Sequence, residues 1–386
     1  MRIGIDCHTV GTGMGGNETY TGQLVCALAE IDRENEYRLY VTNDSPQVRA
    51  LVRAPNFTLA PIAPLPPWIR IPLLLPLELA RHPVDVLHIQ YIAPPCGRTP
   101  IVNTVHDLSH LHRPDFYPRA EAWRQRVLLR RSLARSSRVL AVSQYTRADI
   151  MRTFALAPDH VIVTYLGVSD DFTPVGAQSY LPVLKRHGIR APYLLVVGNV
   201  QPRKNLPAVL DAFAQLKRED GLAMQLVIVG RLAWRHDEVL QKAAALGLGS
   251  EVLFTASVPA ADLPALYSGA AALIHVSLFE GFGLPPLEAM RCGTPVVVSN
   301  GPPFDETLGD AAVRVDPTTP SDIARGIREI LVNGQHKRAL VQRGLSCAAR
   351  FTWAETAGRT LAAYEAAVRS RRTPLAPRAR RTSVRV

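Results

Sequence analysis

The chain has 386 residues, 47% of them hydrophobic and 20% charged, with a formal net charge of +11. That length exceeds one ordinary core and predicts two domains, and the composition is that of a folded chain rather than a disordered one. The basic excess sits in two stretches, Arg113 to Arg138 and Arg369 to Val386, and no aromatic residues interleave with the tail arginines, which argues against a nucleic-acid surface.

Met1 leads straight into RIGID, with no basic start and apolar core, so no secretory signal is expected. The apolar region Pro61 to Ala80 is broken by Arg70 and five prolines and predicts no membrane span. Cys7, Cys26, Cys96, Cys292 and Cys347 are scattered and form no CxxC pair, which predicts reduced thiols and a cytoplasmic protein.

In chain order, residues 1 to 172 alternate between strand and helix patterns. Strands are predicted at Arg2 to Asp6, Tyr37 to Thr42, Val84 to Ile89, Ile101 to Val105, Arg138 to Val142 and Val161 to Val163. Helices are predicted at Glu18 to Ile31, Arg119 to Ala134 and from Ser143 to about Phe154. Residues 173 to 190 lack periodicity and read as a linker. The alternation restarts over 191 to 352, with strands at Tyr193 to Val197, Leu226 to Val229, Val252 to Phe254, Ala272 to His275 and Pro295 to Ser299. Intervening helices are expected at Asn205 to Lys217, His236 to Leu246, Ala261 to Ser268, Leu284 to Cys292 and Ser321 to Val332, and a last one over 353 to 368. Such repetition predicts two doubly wound parallel-sheet domains, with a ligand in the cleft beyond the strand C-termini. Residues 369 to 386 read as a basic, disordered tail.

Three stretches carry candidate chemistry. Ser277 to Asn300 holds a loop with Gly281 and Gly283 opening a helix, and two acids, Glu280 and Glu288, that can face one ligand. Gly198 to Asn205, GNVQPRKN, sets Arg203 and Lys204 beside a helix N-terminus, as a diphosphate requires; a solvated basic turn is the plainer alternative. Gly11 to Gly16, GTGMGG, matches a dinucleotide fingerprint with Asp44 as the ribose acid, but it equally suits a turn or another anion. His106 ends a strand beside Asp107, with His110 and His112 after it; no carboxylate or cysteine set completes a metal site, and a hydrogen bond to a hydroxyl fits better. On a wheel, Arg119, Arg126 and Arg130 cluster on one side of Trp123 and Val127, with Arg124, Arg131, Arg135 and Arg138 on the other, which suits an anionic membrane surface or a solvated basic helix.

Taken together, EGFGLPPLEAMRCGTPVV at Glu280 to Val297 and GNVQPRKN at Gly198 to Asn205 resemble the retaining nucleotide-sugar glycosyltransferases of family 4. The overall look is nearest to bacterial polysaccharide mannosyltransferases. The resemblance implies a GT-B architecture, two Rossmann-like domains facing across a cleft, with the last helix crossing back to the first domain. It implies that Glu280 contacts the donor sugar, that Glu288 holds the ribose, and that Arg203 and Lys204 bind the diphosphate. The backbone of Gly281, Phe282, Gly283 and Leu284, with Gly198 and Asn199, would hold the donor. His106 would bond a sugar hydroxyl, and Gly15 and Gly16 would let the first domain approach the phosphates. No cofactor or metal is implied. The implied partners are a nucleoside diphosphate sugar, GDP-mannose first, and a glycan or polyprenyl-linked acceptor. An epimerase or hydrolase using the same donor site, and an NAD-dependent oxidoreductase, are the alternative readings.

Overall fold

The computed structural model describes residues 1–372. Its first sheet comprises β1 (Arg2–Asp6), β2 (Glu36–Val41), β3 (Phe57–Pro61), β4 (Val86–Gln90), β5 (Ile101–Val105), β6 (Arg138–Ala141) and β7 (Val161–Val163). The second comprises β8 (Tyr193–Val197), β9 (Gln225–Val229), β10 (Val252–Phe254), β11 (Ala272–His275), β12 (Val296–Ser299) and β13 (Val313–Val315). Strand orders are 3-2-1-4-5-6-7 and 10-9-8-11-12-13, and neighbouring strands pair in parallel. Parallel strands buried on both faces need apolar runs, and LLVV in β8 and VVV in β12 supply them at no more than 4% exposure apart from Val197. This is the GT-B architecture.

The order in which strands are added reverses once in each sheet, between β1 and β4 and between β8 and β11. Loops leaving those strands part there and open a crevice. Glycine, histidine and glutamate positions singled out in the sequence lie close after β1, β5, β8 and β11.

The helix Trp353–Arg372 packs on Gly16–Ile31, against the first sheet. Tyr364 is buried there, its hydroxyl 2.5 Å from the His88 Nδ1 of β4, and Thr356 donates to the Tyr165 carbonyl at 2.6 Å. This helix extends past the expected end at 368, so Arg369 to Arg372 are helical. The remaining tail, 373 to 386, lies outside the described residues.

Several elements differ from the sequence reading. The supposed linker carries the helix Ala177–Arg186, which escaped notice because Pro182 interrupts it and only Leu184 is fully buried. Proline-rich Pro61 to Ala80 is largely helical, with Pro67 and Pro76 in first turns, where a missing N–H costs little. Strands β3 and β13 and the helix Gly334–Ala348 also went unpredicted; the helix lies against Leu284–Arg291, with Gly344 over Met290. No described helix is long and apolar enough to cross a membrane.

Candidate active site

Strand β11 ends at His275 and releases a loop that reaches Gly283, the N-cap of the helix Leu284–Arg291. Glu280 stands in that loop with both carboxylate oxygens engaged. Arg203 Nη1 donates to Oε2 at 2.8 Å, Lys204 Nζ donates to Oε1 at 2.8 Å, and the His275 ring lies 3.2 Å from Oε1. Burial alone would raise the Glu280 pKa; the charges of Arg203 and Lys204 outweigh it and hold the carboxyl well below its ordinary 4.5. Burial works against Lys204, lowering its pKa despite the glutamate, whereas for Arg203 the same penalty is overcome by Glu280 and its pKa rises. His275 is pushed down to about 4, first by burial and then by the Lys204 charge.

The turn carrying the two cations is locked to the glutamate loop. Asn205 donates to the carbonyls of Val276 at 3.2 Å and Pro317 at 2.6 Å, and the Leu278 N–H donates to the Arg203 carbonyl at 2.9 Å. Gly198 sits at φ +140, and a Cβ there would come within 2.9 Å of the Lys204 Cε. Only glycine lets the lysine stem lie across the strand end.

Glu288 lies one turn into the helix and accepts from the Tyr267 hydroxyl at 2.7 Å. Burial lifts its pKa from 4.5 to about 7, partly opposed by that hydrogen bond. Phe282 is a core residue, stacked edge-on against Phe351 at 5.5 Å, so only its backbone is available to a ligand. Leu284 is half-buried at the helix start.

On the facing domain, His106 follows β5 with Nε2 2.7 Å from the Gln90 Oε1 and its ring edge-on to Tyr20 at 4.8 Å. Burial lowers its pKa to about 4, so the ring is neutral at pH 7. The two domains meet here. A Cβ on Gly281 would lie 1.8 Å from the His106 carbonyl oxygen, and Ser143 Oγ donates to the Gly281 carbonyl at 2.7 Å. The glycine is therefore a condition of the domains closing on one another.

The N-terminal glycine run approaches the same region more loosely. Gly15 caps the helix Gly16–Ile31, and a Cβ there would be 3.6 Å from the Asn199 side-chain nitrogen, while Gly16 has nothing within 4 Å. Glu18 holds the N–H groups of Gly11 at 2.8 Å and Met14 at 3.0 Å, so part of the loop's anion-binding capacity is already taken. Asp44 is exposed and bound to Arg49 at 2.6 Å. His112 lies 2.9 Å from Asp149, and no group of three or more His, Cys, Asp or Glu could hold a metal among the described residues.

Thus Glu280, Arg203, Lys204 and the Gly198 turn form one knot, His106 closes on it from the other domain, and Gly15 sits beside Asn199. Sequence reasoning missed His275, Tyr267 and Gln90. His275 had a signal, a polar residue ending the apolar run ALIH; Tyr267 had none.

Sequence models of two families match: "Glycosyltransferase Family 4" over residues 14–172 and "Glycosyl transferases group 1" over 185–346. The chain is 33% identical over 265 residues to the O-antigen chain mannosyltransferase B of Escherichia coli, covering 68% of this chain and 70% of that one. It belongs to glycosyltransferase family 4. It is also 29% identical over 227 residues to the serotype-specific mannosyltransferase WbdA of Escherichia coli, covering 58% of this chain but only 28% of the larger relative. Among solved structures, Anabaena Alr3699/HepE in complex with UDP and glucose superposes with a TM-score of 0.75 at 18% identity, over 94% of this chain and 100% of that one.

Proposed function

We propose that the protein is a retaining hexosyltransferase of surface-polysaccharide assembly, moving mannose from GDP-mannose to a glycan or polyprenyl-linked glycan. The observation that carries this reading is the largely buried pair Arg203 and Lys204, two cations in direct contact with one carboxylate, Glu280, with Asp107 acting on both from farther off. A departing nucleoside diphosphate develops negative charge, and preorganised cations on it lower the barrier. The charge they supply makes a metal ion unnecessary in this reading. The mannosyltransferase relatives support the sugar, and the nucleotide-bound relative supports the donor class.

Glu280 orients the cations and faces the donor sugar. Both its oxygens already accept from cations, which blunts it as a nucleophile and favours attack by the acceptor from the leaving-group face. The neutral ring of His106 bonds a sugar hydroxyl, Glu288 takes the ribose, and the Gly198–Asn199 and Gly281–Leu284 backbones line the donor with Gly15 and Gly16 opposite. The reaction runs in the cytoplasm, at the inner membrane face.

Purified protein, a panel of nucleotide sugars and an oligosaccharide acceptor test this directly. GDP-mannose should give nucleoside diphosphate and an α-linked product by NMR. An inverted anomer would refute retention, and free or epimerised sugar without transfer product would favour the epimerase or hydrolase reading.

A further inference from the structure

A chain of side-chain hydrogen bonds runs from the helix Gly16–Ile31 to His106. Its first link is Thr21, 2% exposed, whose hydroxyl donates to the Asn17 carbonyl one turn back at 2.9 Å. That bond uses the hydroxyl's only proton, so toward its other neighbours Thr21 Oγ1 accepts. Gln90, the last residue of β4, brings its side-chain nitrogen to 2.6 Å from that oxygen and 3.5 Å from the Asn17 carbonyl. Turning the amide over would set two carbonyl oxygens against each other. Thr9 adds a second hydroxyl, 3.1 Å from Thr21 Oγ1 and 3.5 Å from the Asn17 oxygen. The amide therefore has one orientation, with its nitrogen toward the helix and its oxygen toward the residue that follows β5.

That oxygen lies 2.7 Å from His106 Nε2. An amide oxygen only accepts, so Nε2 carries a proton, and a neutral ring has no second one. Nδ1 is left as a bare acceptor. It has no partner among the described residues and is not sealed from solvent. Tyr20, from the same helix turn as Thr21, packs edge-on to the ring at 4.8 Å, and Tyr91 lies tilted against it at 5.9 Å, so the imidazole is held in place. Of the titratable groups around it, His88 is kept neutral by burial, and burial pushes Tyr20 and Tyr91 above their ordinary pKa. Asp107 is then the charge that acts on the ring, and its Oδ1 already accepts from the Ser109 N–H and hydroxyl.

We infer that Gln90, fixed by Thr21 and Asn17, is a positioning residue that holds the His106 proton on Nε2 and selects the donor sugar by one hydroxyl, which gives its proton to Nδ1. An imidazole presented this way takes an O–H and turns away a carboxylate or phosphate, whose oxygens have no proton to give. The two ends of the ligand are thereby sorted. The diphosphate belongs to Arg203 and Lys204, and the hydroxyl belongs to the bare nitrogen on the other domain. A protonated imidazole, or one with its proton on Nδ1, would take an anion as readily and lose that distinction. Asn17 and Thr21 stand in the first two turns after Gly15, so the glycine loop and His106 are set by one helix end. The inference rests on the proposed function for the ligand's identity and deepens it by naming what fixes the sugar-facing atom.

Full-length protein carrying isotope-labelled histidine shows by NMR which ring nitrogen holds the proton, the His106 signals being identified by their loss in His106→Asn. The expected spectrum at neutral pH has a protonated Nε2 and an unprotonated Nδ1, with no second tautomer. Gln90→Leu should bring in the second tautomer and speed exchange of the Nε2 proton with water. Gln90→Glu, whose carboxylate likewise only accepts, should restore the single form and raise the pH at which the ring titrates. Donor binding is then read by calorimetry with GDP-mannose and its monodeoxy analogues. One analogue should bind the parent about tenfold more weakly, and Gln90→Leu should abolish that preference while keeping the others. A proton on Nδ1 in the parent, a spectrum unmoved by Gln90→Leu, or an equal loss across all donors would overturn the inference. The single tautomer in a protein that binds no hexose donor would sink the proposed function and leave the positioning role standing.

Discussion

Two buried carboxylates, one in each domain, look alike and differ in one respect. Asp6 accepts from Arg70 at 3.0 and 3.1 Å and lies 3.0 Å from the His8 Nδ1; Glu280 accepts from Arg203 and Lys204 and lies 3.2 Å from the His275 Nε2. Both are pulled below their ordinary pKa against the penalty of burial. Leaving the histidine rings aside and counting only groups in direct contact, one carboxylate and one guanidinium at Asp6 sum to zero, whereas one carboxylate and two cations at Glu280 sum to +1, with Asp107 acting on the cations from farther off. A balanced pair holds structure. An unbalanced one holds structure and retains charge for a ligand, which is how a buried site can be folded and still attract an anion.

Removing the surplus tests that difference most strongly. Arg203→Ala with Lys204→Ala should cut turnover roughly a thousandfold or more, since each electrostatic donor contributes on the order of a hundredfold. Because the double change strands Glu280, the triple variant with Glu280→Gln should regain stability and stay inactive. Full activity in either would sink the donor-site assignment. At the balanced centre the prediction reverses in kind. Arg70→Met leaves Asp6 buried with only His8 for a partner and should cost about 3 kcal/mol in a denaturant melt, and Asp6→Asn in the same chain should restore most of it.

A third carboxylate has no cation at all. Glu288 has a folded pKa near 7 against an ordinary 4.5, so its contribution to stability is complete below about 4.5 and is lost as pH rises through 7. That loss amounts to about 3 kcal/mol. Glu288→Gln should flatten the pH dependence of stability over this window and weaken donor binding at every pH. Parallel pH curves for parent and variant would show that burial does not perturb the group. The smallest effect belongs to Asp44, whose pairing with Arg49 lies wholly in solvent. Asp44→Ala should leave melting and turnover unchanged; a loss of donor affinity would revive the dinucleotide interpretation of the glycine run.

Where the sequence was legible, it was so for identifiable reasons. The strands of both cores are runs of branched apolar residues ending in glycine or polar residues, and the Glu280 and Gly198 stretches carry glycines where a strand hands over to a helix. The family follows from these motifs, and the comparisons bear it out. What escaped was set by tertiary partners. Tyr267 reaches Glu288 from another helix, Gln90 reaches His106 from another strand, and no local pattern records either contact. Proline misled twice, hiding the helix Ala177–Arg186 and the helical turns after Pro66. Arg70 read as an interruption in an apolar stretch, yet it is the most deeply buried arginine of the chain's described part, because its partner lies 64 residues earlier.

The helix Trp353–Arg372 has a consequence for biosynthesis. It covers the inner face of the first sheet, where Trp353, Ala357, Ala363, Tyr364 and Ala367 are buried, and a Cβ on Gly167 would collide with the Trp353 backbone at 2.2 Å. The first domain to leave the ribosome therefore lacks one wall of its core until nearly the whole described chain has been made. During that interval His88 and the apolar side chains around it face water or a chaperone, and the second domain, whose six strands lie between Tyr193 and Val315, is positioned to finish first.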